Sequence, residues 1–181
     1  MTNKYKKYID DAKVYDVAKK TPLDFQTSLS ARLNNKIFLK REDQQTVFSF
    51  KIRGAYNKLV NLDKNIRDKG VIAASAGNHA QGVAMAAKKL GCIATIVMPK
   101  TTPLIKTNAV RQYGAKVILH GISLHESIDR AHKIEKEKGL TFIHPFDDLH
   151  VIAGQGTIGK ESQKISLAKI IKIIKEQKAK N

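Results

Sequence analysis

The chain has 181 residues, 42% of them hydrophobic and 27% charged, with a formal net charge of +17, one cysteine and no tryptophan. This mix suits a packed core of ordinary domain size and excludes fibrous, collagenous or wholly disordered character. A single cysteine excludes an internal disulfide framework and fits a reduced, cytosolic setting.

The charge invites a nucleic-acid reading, but its distribution argues against one. Seven lysines face two glutamates between Lys160 and Asn181, six lysines face three aspartates in the first twenty residues, and the remainder is spread thinly. Neither end interleaves its lysines with the arginine and aromatic pattern of a base-stacking surface. Solvated helix faces are the expectation, with no nucleic-acid partner. The N-terminal stretch has no apolar core of a signal peptide. The most apolar window, VIAASAGNHAQGVAMAA, is interrupted by Asn78, His79 and Gln81, so no membrane span is expected.

In chain order, residues 3–20 carry helical apolar spacing (Tyr5, Tyr8, Ile9, Ala12, Val17) up to the TPL that follows. LSARLNN reads as a short helix and KIFLKRED alternates like a strand. Then a unit repeats. SFKIRGAYNKLVNL is helical, GVIAASA is a short apolar strand, NHAQGVAMAAKKLG is a helix closed by Gly91, and CIATIVMP is a buried strand. PLIKTNAVRQYG is a helix with proline at its start and glycine at its end. AKVILHG is a strand, SLHESIDRAHKIEKEKG a helix opened by Ser123 and closed by Gly139, and LTFIHPF a strand. Alternating helices and near-continuous apolar strands predict an α/β fold, a parallel sheet with helices on both faces. The tail SLAKIIKIIKEQKAKN places Leu167, Ile170, Ile171 and Ile174 on one face of a basic amphipathic helix. Such a helix could meet a membrane surface, a nucleic acid or the sheet itself.

Three motifs mimic chemistry. GQGTIG, Gly154 to Gly159, has the G-x-G-x-x-G form and an acidic residue, Glu176, about twenty positions on. Glu176 lies in a lysine-rich helical pattern, however, and the dinucleotide fingerprint opens a domain where this motif closes one. HPFDDLH offers His144, Asp147, Asp148 and His150, but with no helical His–His spacing and no cysteine partner it reads as a loop with capping aspartates. Cys92 opens an apolar strand and reads as a small buried hydrophobe.

ASAGNHAQGVA carries more. A strand runs into the small residues Ser75, Ala76 and Gly77, and a helix begins near Asn78. Small residues let a ligand approach the backbone, amides at a helix N-terminus attract an anion, and strand-end loops of parallel sheets hold ligands. A plain turn with Asn78 as helix cap fits the same spacing. In SFKIRGA, Lys51 stands among apolar groups, which lowers an amine's pKa by desolvation and suits Schiff-base chemistry. A lysine snorkelling from a core helix fits equally well.

The segments LKREDQQTVFSFKIRGAYNKL, ASAGNHAQGVA, PKTTPLIKTNAVRQYGAKVILHG and FIHPFDDLHVIAGQGTIGKE together resemble the threonine dehydratases (threonine ammonia-lyases). These are pyridoxal-phosphate enzymes of the tryptophan-synthase-β-like fold, and the similarity is nearest to the biosynthetic enzymes of isoleucine synthesis. It runs collinearly from about Ala12 to Glu161. It implies that Lys51 holds pyridoxal 5'-phosphate covalently and later acts as the base on the substrate α-carbon, that Phe50 lies against the cofactor, and that Asn78 bonds its 3-oxygen. It implies that Ser75, Gly77, Asn78 and His79 grip the carboxylate of a small amino-acid substrate, L-threonine with L-serine as a possible second. Ala76 stands where the similar serine racemases carry serine, which implies dehydration over racemisation. The resemblance also implies a cytoplasmic homo-oligomer without a metal. It divides the chain into 1–161, the N-terminal part of a catalytic domain, and 162–181, a divergent lysine- and isoleucine-rich tail. The Gly-rich loop with which the family holds the cofactor phosphate has no counterpart in these residues.

Overall fold

A computed structural model describes the backbone of residues 2–178 and the side chains of residues 5–163. Helix α1 spans Thr2–Asp10, strand β1 Leu23–Phe25, helix α2 Thr27–Arg32 and strand β2 Phe38–Lys40. A single 3-10 turn, Glu42–Gln44, leads to helix α3, Lys51–Val60, and helix α4, Lys64–Lys69. The alternating part follows: β3 Val71–Ala74, α5 Asn78–Leu90, β4 Ala94–Met98, α6 Leu104–Arg111, β5 Lys116–Leu119, α7 Leu124–Lys138, β6 Thr141–Phe142 and α8 Leu149–Lys178.

Strands β3 to β6 form one parallel sheet in the order β5-β4-β3-β6, as the repeated pattern predicts. Alternate residues of a strand face opposite sides. On one face Val71 and Ala73 join Ala94, Ile96 and Met98 beneath α3, α5 and α6. On the other, Ile72, Ala74 and Val97 meet Ala131 and Ile134 of α7. Both faces are therefore dry, which is why these strands are continuous apolar runs with no polar alternation. The helix ends lie where the punctuation residues put them. Ser123 and Glu126 form a reciprocal capping box at the start of α7. Gly91 and Gly139 close α5 and α7 at φ of +67° and +61°, a region costly for residues bearing a Cβ.

The structure differs from the sequence pattern in three places before the sheet begins. The helix expected over 3–20 ends at Asp10. Beyond it, the Lys13 amide donates to Asn57, and both the amide and carbonyl of Lys19 bond the Gln45 side chain. Side chains of α3 and of Gln45, just past the 3-10 turn, thus take the backbone groups a helix would have used. Leu23–Phe25 pairs antiparallel with β2, and Phe25 faces Phe38 across the hairpin at 5.2 Å. Lys64–Lys69 forms the unexpected helix α4. GQGTIG, set aside above as a dinucleotide loop, lies inside α8. There Gly154 serves packing, since a Cβ on it would stand 2.6 Å from the Arg53 carbonyl and 2.7 Å from the Gly54 Cα. The amphipathic face proposed for Leu167, Ile170, Ile171 and Ile174 lies outside the described side chains. No helix among the described residues is long and apolar enough to cross a membrane.

Candidate active site

The carboxyl ends of β3 and β6 and the start of α3 converge. Lys51 is the first residue of α3, and α5 packs so closely on it that a Cβ at Gly82 would stand 3.1 Å from the Lys51 carbonyl. On the opposite side α8 meets α3 through Gly54 and Gly154. Two helices at backbone contact leave α3 little room to shift, so the Lys51 side chain starts from a fixed point. Its Nζ donates to the Pro145 carbonyl at 2.8 Å and lies 5.4 Å from the centre of the Phe50 ring. No carboxylate pairs with it among the described residues. Burial therefore acts unopposed and holds the amine below the ordinary lysine range.

The loop from β3 to α5 stands beside this amine. Ser75 Oγ accepts from the Gly77 amide at 3.2 Å, and the first bond of the helix proper runs from the Gln81 amide to the Gly77 carbonyl. The amides of Asn78, His79 and Ala80 precede it and have no helical partner. Gly77, at the N-cap position, has no side chain with which to satisfy them. Asn78 is exposed, and its side chain makes no hydrogen bond among the described residues. His79 is buried, with Nε2 2.8 Å from the Ile143 carbonyl and Nδ1 unpartnered. Burial, with the nearby charges of Lys51 and His144, pushes the imidazole down to about 4 against the raising effect of the Ile143 bond. The helix cap the sequence allowed at Asn78 falls instead on Gly77, which leaves the amides open for an anion.

The geometry brings Lys51, Phe50, Ser75, Gly77, Asn78 and His79 to one end of the sheet. Sequence reasoning missed the Pro145 carbonyl, which no residue type betrays, and Lys106, whose Nζ lies 3.9 Å from where a Gly77 Cβ would be. It also missed the buried network behind α3. Arg53, fully buried, bonds Glu42 twice at 2.8 Å and Glu161 at 2.7 and 3.2 Å. Lys40 and Tyr15 join Glu161 from the other side. Of the other motifs, Asp148 caps α8 by accepting from the His150 and Val151 amides and pairs with Lys58 at 2.6 Å. No group of three or more metal-ligating side chains occurs among the described residues. Cys92 is half-buried against the core.

These residues suit a pyridine aldehyde bearing a phenolic oxygen: an amine held below the ordinary lysine range, an aromatic ring beside it, a free amide side chain and a carboxylate-sized set of amides. Comparison with known proteins agrees. Residues 14–170 match the family described as pyridoxal-phosphate dependent enzyme. The biosynthetic L-threonine dehydratase of Burkholderia multivorans is 54% identical over 160 residues, which are 87% of this chain and 32% of the relative. Among solved structures, the processed threonine deaminase isoform 2 of Solanum lycopersicum superposes with a TM-score of 0.86 at 50% identity, over 91% of this chain and 46% of that one. Maize serine racemase superposes with a TM-score of 0.83 at 36% identity, over 87% and 49%. The chain thus spans about a third of the curated relative's length and about half of each solved one. With the match extending over residues 14–170, most of its length, the chain belongs to the pyridoxal-phosphate dependent enzyme family.

Proposed function

We propose that this chain carries the lysine and the carboxylate loop of a threonine ammonia-lyase, which converts L-threonine, and L-serine as a second substrate, to a 2-oxo acid and ammonia. The single observation that carries this reading is the Lys51 amine, half-buried, without a counter-ion among the described residues and beside an anion-ready helix start. Pyridoxal 5'-phosphate, when bound, supplies an electron sink for the α-carbon. Lys51 would hold it, Phe50 would lie along it, and the Asn78 side chain would bond its ring oxygen.

The remaining work falls to the protein's own atoms. The open amides of α5, with Ser75, Gly77, Asn78 and His79, orient the substrate carboxylate. Lys51 Nζ, whose pKa its partial burial lowers, takes the α-proton in its uncharged form. The Pro145 carbonyl then receives an N–H of the ammonium so formed. Ala76 places no hydroxyl on the opposite face, so a proton cannot be returned there, and loss of the β-hydroxyl as water is favoured over racemisation. The relatives' names support the substrate, and the resemblance to serine racemases, which carry serine where this chain has Ala76, supports dehydration over racemisation.

By the same reading, 1–161 is the N-terminal part of a cytoplasmic, homo-oligomeric catalytic domain and 162–181 is a divergent tail. No Gly-rich phosphate loop is present in these residues, so a second reading stands beside the first: a non-catalytic α/β module. The test is to add pyridoxal 5'-phosphate to the purified chain and follow the absorbance band near the edge of the visible. A band that Lys51→Ala abolishes is the expected result, with little turnover of threonine by these residues alone. A band that survives the substitution overturns the assignment of Lys51, and no band at all favours the non-catalytic module.

A further inference from the structure

We propose that His79 is a positioning residue for Lys51, acting through the Ile143–Pro145 segment that both side chains grip. The inference rests on the reading of Lys51 as the reactive amine.

The Ile143 carbonyl can only accept a hydrogen bond, so His79 Nε2 carries the ring proton and Nδ1 is bare. That Nδ1 is buried without a partner, a cost that an apolar side chain of the same size would avoid. What the ring obtains in return is the carbonyl. Strand β6 ends at Phe142, and the Ile143 amide, donating to Ile72 at 2.8 Å, is the last bond to the sheet before the segment leaves it. Two residues on, Pro145 has no amide with which to anchor itself, yet its carbonyl is the group that receives Lys51. His144 between them engages its Nδ1 with its own loop, accepting from the Phe146 and Asp147 amides. His79 thus holds the first carbonyl of this short ledge from within the site, and Lys51 bonds the carbonyl two residues on. The ionisable groups facing its ring are Lys51 from α3 and His144 from the ledge itself. Since the ring is neutral at ordinary pH, it holds the ledge without placing a charge beside the amine.

Competitive acetylation of the folded chain over a pH series, read for each lysine by peptide mass spectrometry, gives the titration midpoint and rate of Lys51 with no cofactor present. His79→Leu keeps the volume and removes the N–H. It is expected to let water reach Nζ, raise the Lys51 midpoint by at least about half a unit and slow its labelling at neutral pH about threefold. His79→Gln restores a donor and is expected to return both toward the parent values. Nitrogen chemical shifts of the unaltered protein should show a neutral ring protonated at Nε2. A folded His79→Leu protein with the parent Lys51 profile overturns the proposal, whatever its stability, and so does a ring protonated at Nδ1. If His79→Leu does not fold, the parent tautomer and the His79→Gln profile decide, and a Gln variant whose Lys51 titrates as a free lysine overturns it. None of these readouts needs pyridoxal phosphate, so an absent absorbance band sinks the functional assignment and an unchanged labelling profile sinks this one.

Discussion

Replacing Arg53 by methionine tests what holds α3, and with it Lys51, in place. The guanidinium is fully buried and makes six hydrogen bonds: two to Glu42, two to Glu161, one to Thr157 and one to the Lys19 carbonyl. Methionine fills much of the volume but leaves Glu42 and Glu161 buried with neutral donors (Thr21, Gln45, Tyr15) and one cation, Lys40, which pairs with Glu161 at 2.5 Å. Two cations and two carboxylates become one cation and two carboxylates in a dry setting. Breaking a buried pair from one side costs about 3–5 kcal/mol, several times the figure for an exposed pair. Against a domain stability of about 5–15 kcal/mol, that is a large fraction of the whole. Urea unfolding at neutral pH, compared by linear extrapolation, measures it. Adding Glu161→Gln to Arg53→Met should destabilise by less than the sum of the two single changes, because it removes the charge that the first change stranded. A loss below about 1 kcal/mol for Arg53→Met, the range of a surface pair, or strict additivity in the double variant, would refute the claim that the network acts as one buried unit.

Phe48 precedes the lysine segment with φ of +53° and is 77% exposed, so Phe48→Gly relieves a left-handed strain at little cost in burial. It should raise stability by about 1 kcal/mol in the same urea assay, and an unchanged or lower midpoint counts against the strain. Two glycines of GQGTIG should respond oppositely to alanine. Gly154→Ala drives a Cβ into the Arg53 carbonyl and costs about 2–3 kcal/mol, whereas Gly159→Ala meets nothing within 4 Å and gains up to about 1 kcal/mol of helix propensity. Equal effects at the two sites would deny that α8 packs on α3 through Gly154. In the unfolded chain His79 takes a proton near 6.5, but in the folded protein not until about 4, chiefly because of burial. The stability of the neutral ring is therefore complete above pH 6.5 and declines as pH falls toward 4, by about 3 kcal/mol in all. Urea midpoints over that range should show a slope that His79→Gln removes, and a slope that persists in the variant assigns it to other groups.

The alternating half of the fold was legible because burial on both faces writes it directly into composition. VIAA and ATIVM have no polar residue except a threonine, and each is bounded by a glycine, a proline or a capping serine. Such strings have few other uses in a chain of this size. The first fifty residues were not legible in the same way. Tyr5, Tyr8, Ile9, Ala12 and Val17 keep a helical period beyond the end of α1, but the backbone after Asp10 is bonded to Asn57 and Gln45, residues over twenty positions away. Periodicity reports which side chains are buried. It says nothing of a distant amide that outbids the next turn of helix. Strand β2 was legible in the alternation of KIFLKRED, but its partner β1 was not: three residues whose Phe25 stays partly exposed leave no run long enough to read.

The site divides along the same line. Lys51 and the loop from Ser75 to His79 were visible as residue types, a lysine among apolar neighbours and small residues before a helix, and a resemblance gave them roles. Which groups make the lysine reactive was not visible, because the partners are carbonyls. Ile143 and Pro145 look like an apolar residue and a loop breaker in sequence, and only the end of β6 turns their oxygens toward His79 and Lys51. The same holds behind α3, where Arg53, Glu42 and Glu161 come from three separate stretches and read singly as ordinary surface charges. Enclosure by α5, α8 and the N-terminal segment makes them a buried network. A lysine's identity is local, but its pKa and its aim depend on what long-range packing sets against it. Substitutions at His79 and Arg53 therefore probe Lys51 in ways that its own neighbours in sequence cannot.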